Sequence, residues 1–566
     1  MPETPDATLS FAQVASAGHS RLKSIGSTAA VKAGLTAAWM LLAEAGLQSG
    51  RLLTGFARGS DTLAVETWLS AGLGPVQAVF PFLDDDAVER LPDDLAGSAV
   101  LLDGKATREA GRSVHLSQAR WLIGAADLLV VVWNGRPPRG SGGTADCVRL
   151  ALEHGIPVLW IHPGDGCALR LVRPEFLFED CGFLECVEQI ASRAEPLVTD
   201  ATPRRMRAVL GDLDLGDSLG APSEALSSAE GPVPKRRPLA WPWRAYALLR
   251  RTLGGRGHRF DPLPVPSDLA AQSGFRRLTT ARAAASEEAK RLGAVHRSQQ
   301  IILLAFAVGM ATVGSASALW PGLNLQTVAL ELLLGIVALI LWRGSARQER
   351  HLRWGQARKS AEDLRLERVA WTLGVSTAPH GLTAPHTSAA RRARRLAGLP
   401  YGAFQPARVQ AWGAWVIDEL LAGQAAYHRD QSAINGRVSE RFHQLENLGF
   451  AILLLLQAGF LLTALAAWSR GGQVPHWLAG AAVMAGAIVP AIGAAGLALE
   501  ATLSFHEQGR RSHVLAGQLD ALQAQVTTDW RLDDLQGLAR TAIRIERAQE
   551  DHWSEDVGRR RLFRGG

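Results

Sequence analysis

Three glycine-containing loops in the N-terminal third of the chain carry residues that can bind an anion. Each loop follows a short apolar run and precedes a helical pattern. The candidate binding residues are Gly18 and His19 in the first loop, Gly55, Arg58, Gly59 and Asp61 in the second, and Asn134, Gly135, Gly140, Gly142, Gly143, Thr144 and Asp146 in the third. Glycine lets backbone N–H groups approach a phosphate closely, and a helix that begins near Gly143 adds its positive dipole end. The third loop is therefore a candidate anion cradle.

Two side chains of the second loop extend this chemistry towards a nucleotide. An arginine such as Arg58 makes charge-assisted hydrogen bonds to phosphate oxygens, and Asp61 can accept from ribose hydroxyls or cap its own helix. Thr144 also has a plainer role as a helix N-cap, and one Gly-rich loop alone is weak support for a site. Three converging loops favour a nucleotide-like ligand. Three basic side chains of the following helix could reach the same mouth, although a solvated helix face is their expected role: Arg112, His115 and Arg120.

Alternating strand-like and helical patterns predict that residues 1–190 form an α/β, Rossmann-like domain with a largely parallel sheet. The predicted strands are Phe11 to Ala17, Arg51 to Gly55, Val76 to Phe80, Leu128 to Trp133 and Pro157 to His162. The predicted helices are Ser27 to Ala45, Asp61 to Ala71, Ser113 to Gly124 and Gly143 to His154. In such a sheet, ligands bind at the carboxyl ends of the strands, where the three loops lie.

The composition indicates several domains and a membrane region. The chain has 566 residues, of which 47% are hydrophobic and only 20% charged. The formal net charge of +6 is small for this length, so no direct nucleic-acid binding is expected. The four cysteines have no CxxC spacing and no histidine at finger spacing, so no metal site or disulfide framework is predicted. The polar N-terminus predicts no export signal.

Four apolar stretches predict an all-α membrane region of four transmembrane helices in two hairpins, at residues 301–318, 325–342, 448–468 and 477–499. Glu331 is the only charged side chain within these stretches. A charge at this depth is costly, so Glu331 is expected either to face the bundle interior or an aqueous path, or to lie near the outer interface. In an assembled pore it would repeat as a ring of carboxylates that favours cations.

The distribution of basic residues predicts the topology. Residues 343–447 hold 16 Lys or Arg against 9 Asp or Glu, whereas the two short turns hold only Arg470. The positive-inside rule therefore predicts a cytoplasmic N-terminal domain, central segment and C-terminal tail. The predicted divisions are a nucleotide-binding domain at 1–190, a linker at 191–260, and two-span units at 261–370 and 371–566. Within the linker, residues 239–253 predict a helix that either lies at the headgroup level or packs against the cytoplasmic domain.

Two segments carry a resemblance to a known superfamily: GFARGSDTLAVETWLSAG and ADLLVVVWNGRPPRGSGGTADCVRLALEHGIPVLWI. Over roughly residues 10 to 165 the chain resembles the SLOG superfamily of Rossmann-like nucleotide-binding domains, which is related to cytokinin-activating phosphoribohydrolases, DprA-type proteins and the N-terminal domains of TRPM channels. The two hairpins resemble SLATT domains, two-span membrane effectors that accompany SLOG sensors in bacterial conflict systems. The residues that carry this second resemblance are Trp412, Trp415, Gln424, Tyr427 and His428.

The resemblance implies a sensor that binds a nucleotide-derived ligand and drives pore formation or membrane disruption. The ligand would be ADP-ribose-like, NAD-like or a cyclic nucleotide, and no resident cofactor is expected. The resemblance further implies a homo-oligomer in the bacterial inner membrane, an upstream signal-producing enzyme, and antiviral defence by cell death or arrest. In the related phosphoribohydrolases a glutamate assists N-glycosidic cleavage, and here that position is Cys147, which puts hydrolysis in doubt.

Two other functions remain open at the level of the sequence. One is a membrane-tethered enzyme that cleaves the N-glycosidic bond of a nucleotide or NAD-like molecule, with Asp61 or Asp146 as the carboxylate. The other is a scaffold that binds other proteins and no small molecule. Turnover, saturable binding without turnover, and absence of binding distinguish the enzyme, the sensor and the scaffold.

Overall fold

The computed structural model shows an N-terminal α/β sheet joined to a region of long helices. The structure describes residues 12–22, 26–83, 88–104, 111–137, 142–174, 183–197, 202–212, 239–258, 260–347, 350–375, 388–527 and 529–562. Gly140 of the predicted cradle and residues 213–238 of the predicted linker lie outside these ranges.

Among the described residues, nine strands form one sheet in the order β8-β7-β6-β5-β1-β2-β3-β4-β9. The strands are β1 (Ala12–Gly18), β2 (Gly50–Thr54), β3 (Val76–Phe82), β4 (Val100–Gly104), β5 (Leu128–Val132), β6 (Val158–His162), β7 (Ala168–Val172), β8 (Glu195–Pro196) and β9 (Gly402–Ala403). The seven strands in the spatial order β6-β5-β1-β2-β3-β4-β9 run parallel to their neighbours. The β6–β7 and β7–β8 pairs are antiparallel. All five residues of β5 are buried, as expected for a strand covered on both faces. The predicted α/β fold with a largely parallel sheet is confirmed.

Helices cover both faces of the sheet. They are α1 (Thr28–Glu44), α2 (Ser60–Ser70), α3 (Asp93–Ala96), α4 (Gly111–Ala125), α5 (Thr144–Glu153), α6 (Phe183–Arg193) and α7 (Thr202–Asp212). On one face, Trp39 of α1 and Trp68 of α2 make an edge contact with 5.1 Å between ring centroids. On the other face, α4 and α5 bury Trp121 and Val148. The predicted strands and helices are present, with ends shifted by two residues or fewer.

The N-terminal unit extends beyond the predicted boundary at residue 190. Strand β8 pairs with β7, and α7 packs on α1. Met206 of α7 is fully buried there, and Arg207 donates to the carbonyl oxygen of Ala45 at 3.3 Å. Residues 191–197 and 202–212 of the predicted linker therefore lie in elements that end or pack on the α/β unit. A short helix that buries only one or two apolar side chains has too weak a periodicity to be recognised in a polar segment.

The helical region follows in the chain. Its helices are α8 (Ala245–Gly254), α9 (Ser267–Ala271), α10 (Ser273–Ala316), α11 (Asn324–Arg347), α12 (Arg350–Thr372), α13 (Ser388–Ala397), α14 (Pro406–Ile417), α15 (Gly423–Ser469), α16 (His476–Leu503), α17 (Phe505–Gln523) and α18 (Leu532–Leu562). A π-helical turn, Asp418–Ala422, joins α14 to α15.

Four of these helices, α10, α11, α15 and α16, are long and apolar enough to cross a membrane, which agrees with the four predicted spans. Their apolar windows are almost entirely unburied within the chain, as expected for surfaces that face lipid. At about 1.5 Å per residue, α15 is about 70 Å long, more than twice the apolar thickness of a bilayer. The polar halves of α10 and α15 therefore continue beyond the apolar stretches, towards the sheet.

The sheet and the helical region share one hydrophobic core. Strand β9, from between α13 and α14, pairs in parallel with β4 at the sheet edge. Directly after β9, the Phe404 ring makes edge contacts with Trp121 of α4 and Trp412 of α14. Arg395 of α13 pairs with Asp127 beside β5, with 2.7 Å between Nε and Oδ1. The predicted boundary between residues 370 and 371 falls inside α12, and the sequence did not indicate that β9 joins the sheet.

Residues 241–254 pack against the long helices. They form a 3-10 turn (Trp241–Arg244) followed by α8, which contacts α10 and α15. The Tyr246 N–H donates to Ser298 Oγ at 3.1 Å, and the Arg297 guanidinium lies 4.8 Å from the centroid of the Tyr246 ring. Ser298 is three residues before the predicted apolar stretch of α10, and Trp241 is 80% exposed. The segment therefore packs on the long helices beside the end of the apolar stretch, and its position at the headgroup level stays a prediction.

Candidate functional site

A cavity of about 800 Å³ lies at the carboxyl ends of β1, β2, β5 and β6. Strand β1 has β2 on one side and β5 on the other, so the chain order reverses at β1. In open α/β sheets the crevice at such a switch point is the usual place for a ligand. The volume falls within the range of about 300–1,000 Å³ typical of small-molecule sites.

Eight of the predicted binding residues line this cavity: Gly18, His19, Gly55, Asp61, Asn134, Gly142, Gly143 and Thr144. Four others are not part of its lining: Arg58, Gly59, Gly135 and Asp146. Arg58 is exposed, so its position does not support the predicted phosphate contact. Gly140 lies outside the described residues.

The first two loops pack directly on each other. The Ser60 N–H donates to the carbonyl oxygen of His19 at 3.2 Å, and the Ser60 hydroxyl donates to the same oxygen. A β-carbon at Gly18 would lie 2.2 Å from Ser60 Oγ, and one at Gly59 would lie 2.6 Å from the His19 carbonyl oxygen. Gly59 also has a φ of +99°, which favours glycine. These glycines bring the ends of β1 and β2 together and so shape the cavity, although Gly59 does not line it.

The N-terminus of α5 lies at one end of the cavity. Gly142, Gly143 and Thr144 line the wall where α5 begins, so the positive end of the helix dipole points into the cavity. The Asp146 carboxylate accepts the Gly142 N–H at 2.8 Å and pairs with Arg149 within the same helix. Asp146 therefore stabilises the loop, and the backbone at its mouth is the part that can hold a phosphate.

Among the buried polar atoms of the cavity lining that have no hydrogen-bond partner within the described part of the chain, two belong to buried side chains: Ser16 Oγ and Asp61 Oδ1. Both residues line the cavity, and their side chains are almost fully buried. The other carboxylate oxygen, Asp61 Oδ2, accepts the Ala57 N–H at 3.4 Å. Leaving a buried polar atom without a partner costs about 1–3 kcal/mol, so this floor is suited to a ligand with hydroxyl groups.

The environment of Asp61 changes its ionisation. Burial raises the pKa of the Asp61 carboxyl to about 7, and the hydrogen bond from Ala57 opposes this only partly. Near neutral pH the group can therefore both accept and donate a hydrogen bond. Burial, together with the nearby Asp61 and Asp146 carboxylates, raises the pKa of the Cys147 thiol to about 12. Cys147 also lines the cavity, and as a neutral thiol it is a poor nucleophile.

Sequence reasoning missed several residues of the cavity wall: Ser16, Arg21, Gln118, Trp133, Arg136 and His162. Two signals were available in the sequence: Ser16 is one of the two polar residues of β1, with Gln13, and His162 is the last residue of β6. The ring of His162 lies 5.3 Å from that of Trp160, and burial together with Arg170 lowers the pKa of the imidazole. Arg21 and Arg136 are exposed at the rim and supply positive charge there.

Helix α4 has one face in the cavity and another in the helical region. The cavity face shows the i, i+3, i+4, i+7 spacing of one helix side: His115, Gln118, Ala119 and Leu122. For His115 a solvated helix face was the expected role and the mouth of the site the alternative, and the structure places this residue in the cavity wall. On another side of α4, Ser117 Oγ donates to Asp533 Oδ1 of α18 at 3.1 Å. Helix α4 therefore contacts both the cavity and the helical region.

The other predicted residue, Glu331, lies within the first apolar hairpin. It is partly buried against α10, where a β-carbon at Gly314 would lie 3.2 Å from Glu331 Oε2. Two further contacts along the hairpin also involve glycines, Gly335 with Met310 and Gly309 with Leu334. Within a single chain, Glu331 therefore faces the neighbouring helix near the end of α10 at Ala316, and the choice between its two predicted environments stays a prediction.

The chemistry of the cavity comes from a helix N-terminus, two buried polar atoms and two rim arginines. Within the described ranges, no group of three or more His, Cys, Asp or Glu side chains is arranged to hold a metal ion. Comparison of the chain with protein-family models, with curated proteins and with solved structures finds no match in any of the three.

Proposed function

We propose that this protein is a ligand-gated membrane effector whose α/β cavity binds a nucleotide-derived molecule. The observation that carries the proposal is the cavity at the β1/β5 switch point, with the N-terminus of α5 at one end and the buried Ser16 and Asp61 atoms in its floor. An ADP-ribose-like, NAD-like or cyclic nucleotide has phosphate oxygens for the first feature and ribose hydroxyls for the second.

The proposed coupling of the cavity to the membrane helices is supported by the contacts that join the α/β unit to the helical region. Helix α4 lines the cavity and contacts Phe404, which follows β9, and Asp533 of α18. The Arg395–Asp127 ion pair joins α13 to the sheet. A ligand shifts a conformational equilibrium only by its differential affinity for the two states. A ligand that repositions α4 has this effect, because α4 cannot move without moving Phe404 or α18.

The cellular setting follows from the resemblance to SLOG and SLATT domains and from the positive-inside rule. The effector belongs to the bacterial inner membrane, with the N-terminal domain, central segment and C-terminal tail in the cytoplasm. It acts as a homo-oligomer, forms a pore or disrupts the bilayer, and answers a signal from an upstream enzyme. The outcome is cell death or arrest as antiviral defence.

The test uses the full chain, because the α/β unit shares its core with the helical region. Purified protein is titrated calorimetrically with ADP-ribose, NAD, AMP and a cyclic nucleotide, and ligand-dependent dye release is measured from liposomes containing it. Saturable binding to one ligand class together with release supports the effector. Absence of binding to all four, for a protein that also retains no small molecule from cell extract, contradicts it.

A specific observation also supports the alternative, an N-glycoside hydrolase. The pKa of Asp61 is raised to about 7 within the cavity, which suits a general acid or base at neutral pH. Asp146, the other carboxylate considered, is committed to Gly142 and Arg149 and does not line the cavity. Release of a free base from any of the four ligands, abolished by Asp61→Asn but not by Cys147→Ser, would establish the enzyme.

A further inference from the structure

A second cavity lies among the apolar helices. It has a volume of about 450 Å³ and is lined by α10, α15 and α16. Of its fifteen lining residues, Glu446 alone is charged and the rest are apolar. It shares no lining residue with the cavity at the α/β sheet.

The cavity has the depth of one bilayer leaflet. Its lining runs from Ile301 to Val308 on α10 and from Leu499 to Val489 on α16, which at 1.5 Å per residue is about 10 to 15 Å. Half of the apolar thickness of a bilayer is about 15 Å. Both runs begin at the end of the apolar stretch that is nearer to the sheet. The cavity therefore spans the leaflet on the side of the α/β domain.

The cavity is closed towards the sheet and open to the side. Buried Val438, Leu499 and Phe505 form a cluster at its sheet-facing end, against which Tyr246 and Leu249 of α8 pack. In contrast, three lining residues are about half exposed, at 56% for Leu445, 47% for Phe450 and 55% for Ile492. Access is therefore from the bilayer and not from the α/β domain.

Glycines of α16 place the Glu446 carboxylate at the polar end of the cavity. A β-carbon at Gly496 would lie 2.9 Å from Glu446 Oε1, and one at Gly493 would lie 3.5 Å from Cε2 of Phe450. The Glu446 side chain is only 15% exposed, and its other oxygen lies 3.5 Å from Nδ1 of the exposed His443. An acidic group at the headgroup level, above an apolar cavity, is complementary to an ammonium group that carries a hydrocarbon chain.

We propose that this cavity is a lipid site that holds one acyl chain of an amine-bearing phospholipid of the phosphatidylethanolamine type, with the lipid ammonium on Glu446. The lipid comes from the leaflet next to the α/β domain. Its ammonium group donates charge-assisted hydrogen bonds to the carboxylate. A choline headgroup has no N–H to donate, and the hydroxyl groups of a glycerol headgroup donate without a positive charge. The bound chain fills the space between α10, α15 and α16.

Native mass spectrometry of the full chain in detergent tests the proposal. The protein is offered an equimolar mixture of phosphatidylethanolamine, phosphatidylcholine and phosphatidylglycerol with identical acyl chains. We expect the wild type to retain the ethanolamine lipid with about fivefold preference, as for a partly exposed charged pair. Glu446→Gln should retain lipid without this preference, and Ala305→Trp, which fills the cavity from α10, should retain one lipid fewer per chain.

Leu455→Trp is the matched control, because Leu455 is 73% exposed on the apolar part of α15 and does not line the cavity. It should bind lipid as the wild type does. Equal retention of all three lipids by the wild type would overturn the assignment of the headgroup. An unchanged lipid count in Ala305→Trp, at an unfolding temperature close to that of Leu455→Trp, would overturn the assignment of the cavity.

Discussion

Trp121 of α4 packs edge-on against Phe404, with 5.1 Å between ring centroids and both side chains fully buried. One turn of α4 thus contributes Leu122 to the ligand cavity and Trp121 to the contact with the segment that follows β9. The Trp121–Phe404 pair therefore joins the helix that lines the cavity to the helical region.

Replacing Phe404 with leucine is expected to uncouple the two regions. The substitution removes the ring contact at a cost below about 2 kcal/mol, so the protein should fold and bind ligand with unchanged affinity. Ligand-dependent dye release should fall by about fivefold or more. Phe80→Leu is the control, since Phe80 is equally buried but lies in the core on the other face of the sheet. Equal release by the two variants would rule out this pathway.

Gly143→Asp is expected to abolish ligand binding without lowering stability. Gly143 is the N-cap residue of α5, where aspartate is favourable for the helix, but its carboxylate would occupy the place of a ligand phosphate. Calorimetry should show at least about a hundredfold loss of affinity, whereas the unfolding temperature should stay the same or rise. Gly537→Asp adds the same charge on α18 in open space, and Arg58→Ala removes an exposed side chain outside the cavity lining. Both should bind normally, and loss of binding in Arg58→Ala would restore its predicted phosphate contact.

Asp61→Asn is expected to flatten the dependence of stability on pH. The folded protein holds the Asp61 proton up to a pKa of about 7, against an ordinary value of 3.8. Between these values the folded state binds more protons than the unfolded state, so stability falls as the pH rises through this window, by up to about 4 kcal/mol. Thermal unfolding at several pH values should show a smaller loss in Asp61→Asn. If the unfolding temperature changed with pH equally in the wild type and in Asp61→Asn, another group would be responsible for the titration.

Glu331→Gln is expected to lower the cation preference of the assembled membrane region, and Glu331→Lys to lower it further. The carboxylate lies against Gly314 in one chain, and symmetry would arrange several copies as a ring. Reversal potentials in planar bilayers under a salt gradient are the measurement. Calorimetry on the same proteins should show unchanged ligand affinity. Identical reversal potentials for the wild type and both variants would exclude Glu331 from the conducting path.

Local patterns in the sequence were sufficient to predict the central strands, the helices between them and the four apolar helices. Buried strands such as Leu128–Val132 and apolar runs of about 20 residues have periodicities that depend only on neighbouring residues. The glycines of the three loops also stood out in the sequence, because few other residues allow the backbone to approach a ligand or another loop so closely. Gly18 and Gly143 are in the cavity for this reason.

Only the tertiary structure decided which side chains complete the cavity and how it connects to the membrane helices. Strand β9 has two residues and pairs with a strand about 300 positions earlier in the chain, so no local pattern predicts it. The same holds for the exposed position of Arg58 and for the Ser16 hydroxyl, which has no partner among the described residues, because both depend on how β1, β2 and α4 pack. A motif predicts which loops can bind an anion, whereas burial and long-range packing determine which of their side chains face it.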